Sequence, residues 1–175
     1  SSQVNIAGRT EPAEISISGS DNNAITIPTN PTPIIPTPTP NLLNLASINS
    51  IASKNISYVG DAISYATIVS NVGNVPLGTY DVPVTVFTEL SPSVSFIPGS
   101  LSINNVPVNC VNPSQINLGI LQPGDVRIIT YSVRVNNACP NIVYNIQKLL
   151  YGYDPLYIGT STFSVNGNIV MTYIN

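Results

Sequence analysis

Apolar and polar residues alternate with a period of two along most of this chain, most clearly between the Gly60-Asp61 and Asn71-Val72-Gly73-Asn74 turns. There Ile63, Tyr65, Thr67 and Val69 point one way, and Ala62, Ser64, Ala66, Ile68 and Ser70 the other. Period two predicts a strand over 62–70 with one face in a core. Tyr65 is the expected anchor, because a tyrosine buries a large ring and keeps a polar tip. The same reading predicts strands at 43–52, 82–89, 100–105, 116–120, 126–136, 142–151, 157–165 and 168–174. Pro92, Pro98-Gly99, Asn104-Asn105, Pro123-Gly124 and Asp154-Pro155 punctuate them. Short, regularly spaced strands with such breaks predict a β-sandwich. Asn166-Gly167 is expected to turn a tight hairpin between the last two strands. No stretch holds a helical period.

The first 41 residues read differently. Val4 and Ile6, Ile15 and Ile17, and Ile25 and Ile27 form three short alternating pieces, separated by Gly8, Gly19 and Asp21-Asn22-Asn23. Such pieces are strand-competent but marginal as an isolated hairpin. From Pro28 to Pro40 six prolines alternate mainly with Thr and Ile. They block both helix and central strand, and as polyproline II the segment spans about 40 Å. The expected organisation is a β-competent tail at 1–27, a semi-rigid Pro/Thr-rich linker at 28–41 and a β domain at 42–175.

Composition narrows the function. Charged residues are 7% of the chain, against about 25% in an average globular domain, so Ser, Thr and Asn must make up the surface. That is not an intracellular composition. The net charge is −3 and the five basic residues Arg9, Lys54, Arg127, Arg134 and Lys148 are scattered, which argues against nucleic acid. No apolar run is long enough for a membrane span. No signal peptide is seen, so a secreted protein is expected here in mature form. The opening Ser1-Ser2-Gln3-Val4-Asn5-Ile6 lacks the long apolar helix of type IV pilins and archaellins and is expected to set the chain apart from them.

The Val59-Gly60-Asp61 turn, the alternating strand with Tyr65 and the Asn71-x-Gly73 exit resemble the signature of the DUF11 family, immunoglobulin-like modules of prokaryotic surface proteins. Val86 to Ser100 is similar to that family's next strand and turn. Leu118 to Asp125, ending Leu121-Gln122-Pro123-Gly124-Asp125, is similar to its Leu-x-Pro-Gly-Asp corner. The likeness covers roughly residues 55 to 136. Thr67 stands where an aliphatic is usual, Glu89 where Asp is usual, and Arg127 falls on an apolar position of its strand. The resemblance implies an all-β, immunoglobulin-like sandwich, here with an N-terminal extended tail and a proline-rich linker.

Candidate chemistry is sparse. Without His the usual base of Ser or Cys hydrolases is missing, and no Gly-rich phosphate loop is present. Neither an enzyme nor a cofactor is expected. Asp61, Asp81, Glu89, Asp125 and Asp154 are candidates for a carboxylate pair or a calcium site, although Asp after Gly is ordinary turn chemistry. Cys110 and Cys139 are read as a structural disulfide or as two buried thiols; with no second Cys pair, zinc is not expected. Tyr151 to Tyr157 is an aromatic cluster that serves either as a sugar platform or as packing at a strand end. Asn55-Ile56-Ser57 is the permitted N-glycosylation sequon, and covalent glycans are expected. Lys54 and Lys148 are candidates for Lys–Asn isopeptide bonds, against the ordinary reading of solvated lysines.

A strand-competent tail on a stiff spacer needs a sheet edge. The expected function is a structural subunit (pilin) of an extracellular, cell-surface filament, for adhesion or biofilm. It is assembled head-to-tail from identical subunits by donor-strand complementation, with Val4, Ile6, Ile15, Ile17, Ile25 and Ile27 as donor residues. The overall plan resembles the archaeal threads, pili of thermoacidophilic archaea. The alternatives are an S-layer or cell-wall module with its tail folded in cis, and a sugar-binding adhesin domain.

Overall fold

The structure, a computed structural model, describes residues 3–6, 14–17, 32–33, 41–109 and 112–175. The chain divides into two compact units, Ser1–Pro40 and Asn41–Asn175. In the first, β1 (Gln3–Ile6) pairs antiparallel with β2 (Glu14–Ile17).

The second unit is an all-β, immunoglobulin-like sandwich. Its first sheet contains β3 (Ala46–Ala52), β5 (Ala62–Asn71), β7 (Val94–Phe96), β8 (Ser102–Ile103), β9 (Val106–Pro107) and β11 (Val126–Val135). They run in the order β3-β5-β11-β8-β9, with β7 also on β11. The second sheet contains β4 (Ile56–Ser57), β6 (Val84–Leu90), β10 (Gln115–Gly119), β12 (Ile142–Tyr153), β13 (Ser161–Asn166) and β14 (Val170–Ile174). Its order is β10-β6-β12-β14-β4, with β13 also on β12. The chain changes sheets between β3 and β4, and β4 runs parallel to β14.

The register of β5 is the one expected. Ile63, Tyr65, Thr67 and Val69 are all buried, and β11 supplies Ile129, Tyr131, Val133 and Val135 beside them. The Tyr65 and Tyr131 rings lie 5.6 Å apart in a tilted pair. Arg127 occupies the next inward position of β11. It stays half-exposed at the sandwich end, 3.8 Å from Asp125.

Thr67, which replaces an aliphatic, is explained by a polar cluster in the core. Its hydroxyl donates to Gln147 Oε1 at 2.5 Å, and Ser50 Oγ donates to the same atom at 2.6 Å. Gln147 Nε2 then donates to Thr88 Oγ1 at 3.1 Å. Nearby, Tyr131 Oη donates to Asn145 Oδ1 at 2.9 Å. The buried Gln147 amide is tolerated because its partners are present, whereas Asn145 Nδ2 finds none among the described residues. The Tyr65 hydroxyl, the expected polar handle, finds no partner among the described residues.

Two motifs quoted above dock onto each other. The buried Asn71 donates from Nδ2 to the Val75 and Leu121 carbonyls at 2.7 and 2.9 Å, and its Oδ1 accepts the Gly73 N–H. Its main chain exchanges hydrogen bonds with Gly124 and Asp125. Gly73 is required because a Cβ there would collide with the Leu43 carbonyl. These residues build a corner.

Four expectations are corrected. Asn166-Gly167 does not turn a hairpin. Both β13 and β14 run antiparallel to β12, pairing Lys148 with Asn166 and Asn145 with Val170. Between those pairs β12 advances three positions and its partner four, which is a one-residue bulge. At the bulge the Asn168 side chain accepts the Ser50 N–H at 2.8 Å and donates to the Ser50 carbonyl at 2.9 Å. An amide thus bridges the two sheets where a turn was expected. The strand expected from residue 43 starts at Ala46, because the Asn74 side chain takes the Leu43 N–H and the Asn41 carbonyl instead. The strand expected from 157 starts at Ser161, because Asp154 Oδ1 holds the Ile158 and Gly159 N–H groups in a loop. Three short strands, β4, β7 and β9, were not expected.

Candidate assembly interface

The tail pair has an unusual register. Val4 lies opposite Ser16 and Ile6 opposite Glu14, while Ile15 lies opposite Asn5 and Ile17 opposite Gln3. Residues directly opposite in an antiparallel pair share a face. Each face of this two-stranded sheet therefore carries two apolar and two polar positions. Neither face is a continuous apolar surface, although each strand alone alternates cleanly. Ile25 and Ile27 lie outside the described residues.

The sandwich offers strand edges to such a segment. Among the described residues, β10 bonds only β6 as a ladder partner and leaves one edge open, whereas the free edge of β3 is capped at Ser50 by the Asn168 side chain. β13 pairs only with β12, and its Phe163 is 41% exposed although it shares the inward register of Tyr151. The Phe163 ring stacks on Tyr151 at 6.0 Å and meets Tyr153 edge-on at 5.8 Å.

The outer faces of the two sheets differ. That of the first sheet mixes small hydroxylic residues with aliphatics: Ser64 and Ser132 Oγ atoms lie 2.8 Å apart, flanked by Ala62, Ala66 and Thr130, and Ile51, Ile68, Val126 and Ile128 are exposed beside them. That of the second sheet is apolar. Ile142, Tyr144, Ile146 and Leu150 of β12 lie outward beside Phe87 of β6 and Met171 and Tyr173 of β14. In β12 the pattern is partly inverted, with Asn145 and Gln147 buried and Ile146 and Leu150 outward.

The remaining candidates fall as follows. Lys54 Nζ lies 3.5 Å from Asp61 at 39% side-chain exposure, and Lys148 is exposed on the outer face of β12. Both have the setting of solvated lysines. Asn55 is exposed beside β4, and its carbonyl accepts the Tyr173 N–H at 2.8 Å. The sequon's Ser57 is buried and donates to Asp61 Oδ2 at 3.1 Å. That hydroxyl, with the Tyr58 N–H and Lys54 assisting, holds the Asp61 carboxyl below its ordinary pKa. Asp61, Asp125 and Asp154 each accept N–H groups of their own turns. Cys139 is an exposed free cysteine, which departs from the reading of two buried thiols; Cys110, its expected disulfide partner, lies outside the described residues. Of the aromatic run, Tyr151 is buried packing, while Tyr157 is 92% exposed at φ 56°. Tyr157 and the 95% exposed Tyr80 border a cavity of about 650 Å³ that also takes in Asp81 and Gln122. Neither Tyr80 nor this cavity was expected from the sequence, because its walls come from three separate loops.

These features define an immunoglobulin-like module without a helix long and apolar enough to cross a membrane among its described residues. No protein-family model matches the chain, and no curated protein matches it. Among solved structures, it is similar in fold to a variant of BcpA, the major pilin subunit of Bacillus cereus, with a TM-score of 0.53 and 8% identity over 75% of this chain and 41% of that one. The likeness to BcpA itself has a TM-score of 0.49 and 10% identity, over 73% of this chain and 40% of that one. The seventh ScaB type I cohesin of Pseudobacteroides cellulosolvens gives 0.41 and 11%, over 73% and 92%. The chain thus spans about two-fifths of the pilin's length. What is shared is the fold.

Proposed function

We propose that this chain is a structural subunit of an extracellular filament, a pilin, joined to identical subunits by donor-strand complementation. The observation that carries the reading is the tail register. Paired with each other, β1 and β2 split their apolar residues between two faces. Added singly to a sheet edge, either strand would direct all its apolar residues towards one core face, with main-chain hydrogen bonds to the edge. The Pro-rich segment 28–40 supplies the reach. A head-to-tail contact of this kind does not close and so propagates a fibre. A pilin among the proteins of similar fold agrees with this reading, as does the resemblance to archaeal threads. Glycans on Asn55 belong to the same proposal. Deleting residues 1–27 should leave a folded protein that neither polymerises nor extends existing fibres in electron micrographs. Normal polymerisation of the truncated protein would contradict it.

A second reading is favoured by the cavity between Tyr80 and Tyr157, whose exposed rings beside Asp81 and Gln122 suit an amphipathic sugar ring. An oligosaccharide array separates it from the first: the Tyr80→Ala and Tyr157→Ala variants should lose any binding seen, with assembly intact.

A further inference from the structure

We propose that the outer face of the second sheet binds the same face of a second copy of this chain, in a two-fold, face-to-face contact separate from the tail.

The starting point is the inverted pattern of β12. It places two amides, Asn145 and Gln147, in the core and sends Ile146 and Leu150 outward. A face destined for water gains nothing from this arrangement. Apolar area on a solvated face contributes no burial, and it grows more costly as it becomes contiguous. Here it is contiguous, from Phe87 and Leu150 across Ile146 to Tyr144, Met171 and Tyr173.

The charges identify the occupant. Within the strands of this sheet the charged residues are Glu89 and Lys148. Both are exposed and both lie on the outer face, because Lys148 pairs with Phe87 and Glu89 with Ile146. They are diagonal neighbours and are not ion-paired to each other. One cation and one anion side by side on an apolar field form a self-complementary pattern. A two-fold axis in the contact plane, passing between them, sets each chain's Glu89 against the other's Lys148. The same operation lays apolar side chains over the groove of about 660 Å³ that Phe87, Ile146, Lys148 and Ile169 help to line. A partner of one net charge would leave one of the two side chains unpaired in a desolvated contact, which is unfavourable. A second copy satisfies both.

The test uses the full chain and charge reversal at exposed positions, with circular dichroism as the check of folding. Pairing is read by sedimentation velocity for dispersed subunits and by electron microscopy for filaments, which should lie in pairs. Lys148→Glu alone and Glu89→Lys alone should each weaken pairing by at least about tenfold, since like charges then face each other. The double reversal should restore pairing with itself and not with wild type. Wild-type protein that stays unpaired at concentrations of about 100 µM, single reversals that pair normally, or a double reversal that fails to recover would each overturn the proposal. Loss of pairing with filaments intact concerns this face; loss of filaments on deleting residues 1–27 concerns the tail.

Discussion

The two sheets solve the same problem with opposite residue choices. On β5 and β11 of the first sheet, apolar and aromatic side chains point in, while Ala, Ser and Thr fill most of the outer face. Ile68, Val126 and Ile128 break that rule and are exposed, with the exposed Ile51 of β3 beside them. On β12 of the second sheet, Asn145 and Gln147 point in among Val143, Leu149 and Tyr151, while Ile142, Tyr144, Ile146 and Leu150 point out. The first arrangement is that of an antiparallel sheet with one wet face. The second is nearer to that of a sheet covered on both sides, and among the described residues its outer side is only partly covered. The sandwich is held together by apolar side chains from both sheets, with the hydrogen-bonded cluster of Ser50, Thr67, Thr88 and Gln147 as a polar seam between them. Both proposed assembly contacts use the second sheet's outer face or the tail.

The largest effects should come from breaking the polar seam or its corner. Gln147→Ala removes the acceptor shared by Ser50 and Thr67, which keep only each other at 3.0 Å, takes the donor from Thr88 and opens a cavity. It should cost about 3 kcal/mol in urea denaturation. Asn71→Ala strands the Val75 carbonyl, removes one of two donors from the Leu121 carbonyl and takes the acceptor from the Gly73 N–H, and should cost a similar amount. Thr67→Val restores the apolar pattern of β5 while Ser50 still donates to Gln147, and about 1 kcal/mol is expected. If Gln147→Leu were more stable than wild type, the amide would be no asset to the seam.

Alkaline pH should act next. Burial raises Tyr65 to about 12 and raises Tyr131 further, against an ordinary value of 10.0. In the unfolded chain both ionise near pH 10, so the folded state holds more protons above that pH and stability falls as pH rises. Below pH 10 the contribution is fully present, and it is lost on the way to pH 12. The denaturation midpoint should be flat from neutral pH to about 9.5 and fall steeply above it.

Ser64→Ala on the first sheet's outer face should change stability by less than about 0.5 kcal/mol. Ile146→Ser on the second sheet's outer face should be similarly mild for the subunit. A large loss of subunit stability from Ile146→Ser, measured in dilute protein, would mean that something within the chain already covers that face.

Acid should have the smallest effect. The Asp61 carboxyl is held below its ordinary value chiefly by Ser57, so it stabilises the folded state above pH 3.8 and loses that contribution as pH falls through its folded value. The group is a solvated turn residue, and Asp61→Asn should abolish what little pH dependence it causes. Apolar burial and main-chain pairing do not titrate, so melting temperature should change little between pH 7 and 2.

The contrast between the sheets also explains what the sequence made legible. Alternation located β5, β11 and β6 within a residue or two, because each puts one residue type on one face. It located β12 as a strand but did not say which face was inward, since Ile142 to Tyr151 carries apolar residues at both parities. Two-residue strands such as Ile56–Ser57 are too short to show a period. The seam was hidden because Ser50, Thr67, Thr88 and Gln147 are far apart in the chain and unremarkable singly. The Asn166-Gly167 pair carried the right residues for a turn, yet the Asn168 bridge to Ser50 made it a bulge. The tail pieces were legible as strands, and their mutual register was not.

That register is where the account is most exposed. Amide hydrogen exchange should be followed for Gln3–Ile6 and Glu14–Ile17 in assembled protein and in dilute, disassembled subunits. The account predicts strong protection of at least one of these segments in the assembly and its loss in the dilute subunit, because its partner strand belongs to another chain. Equal protection at every concentration would contradict it and would mean that the tail strands are paired within their own chain.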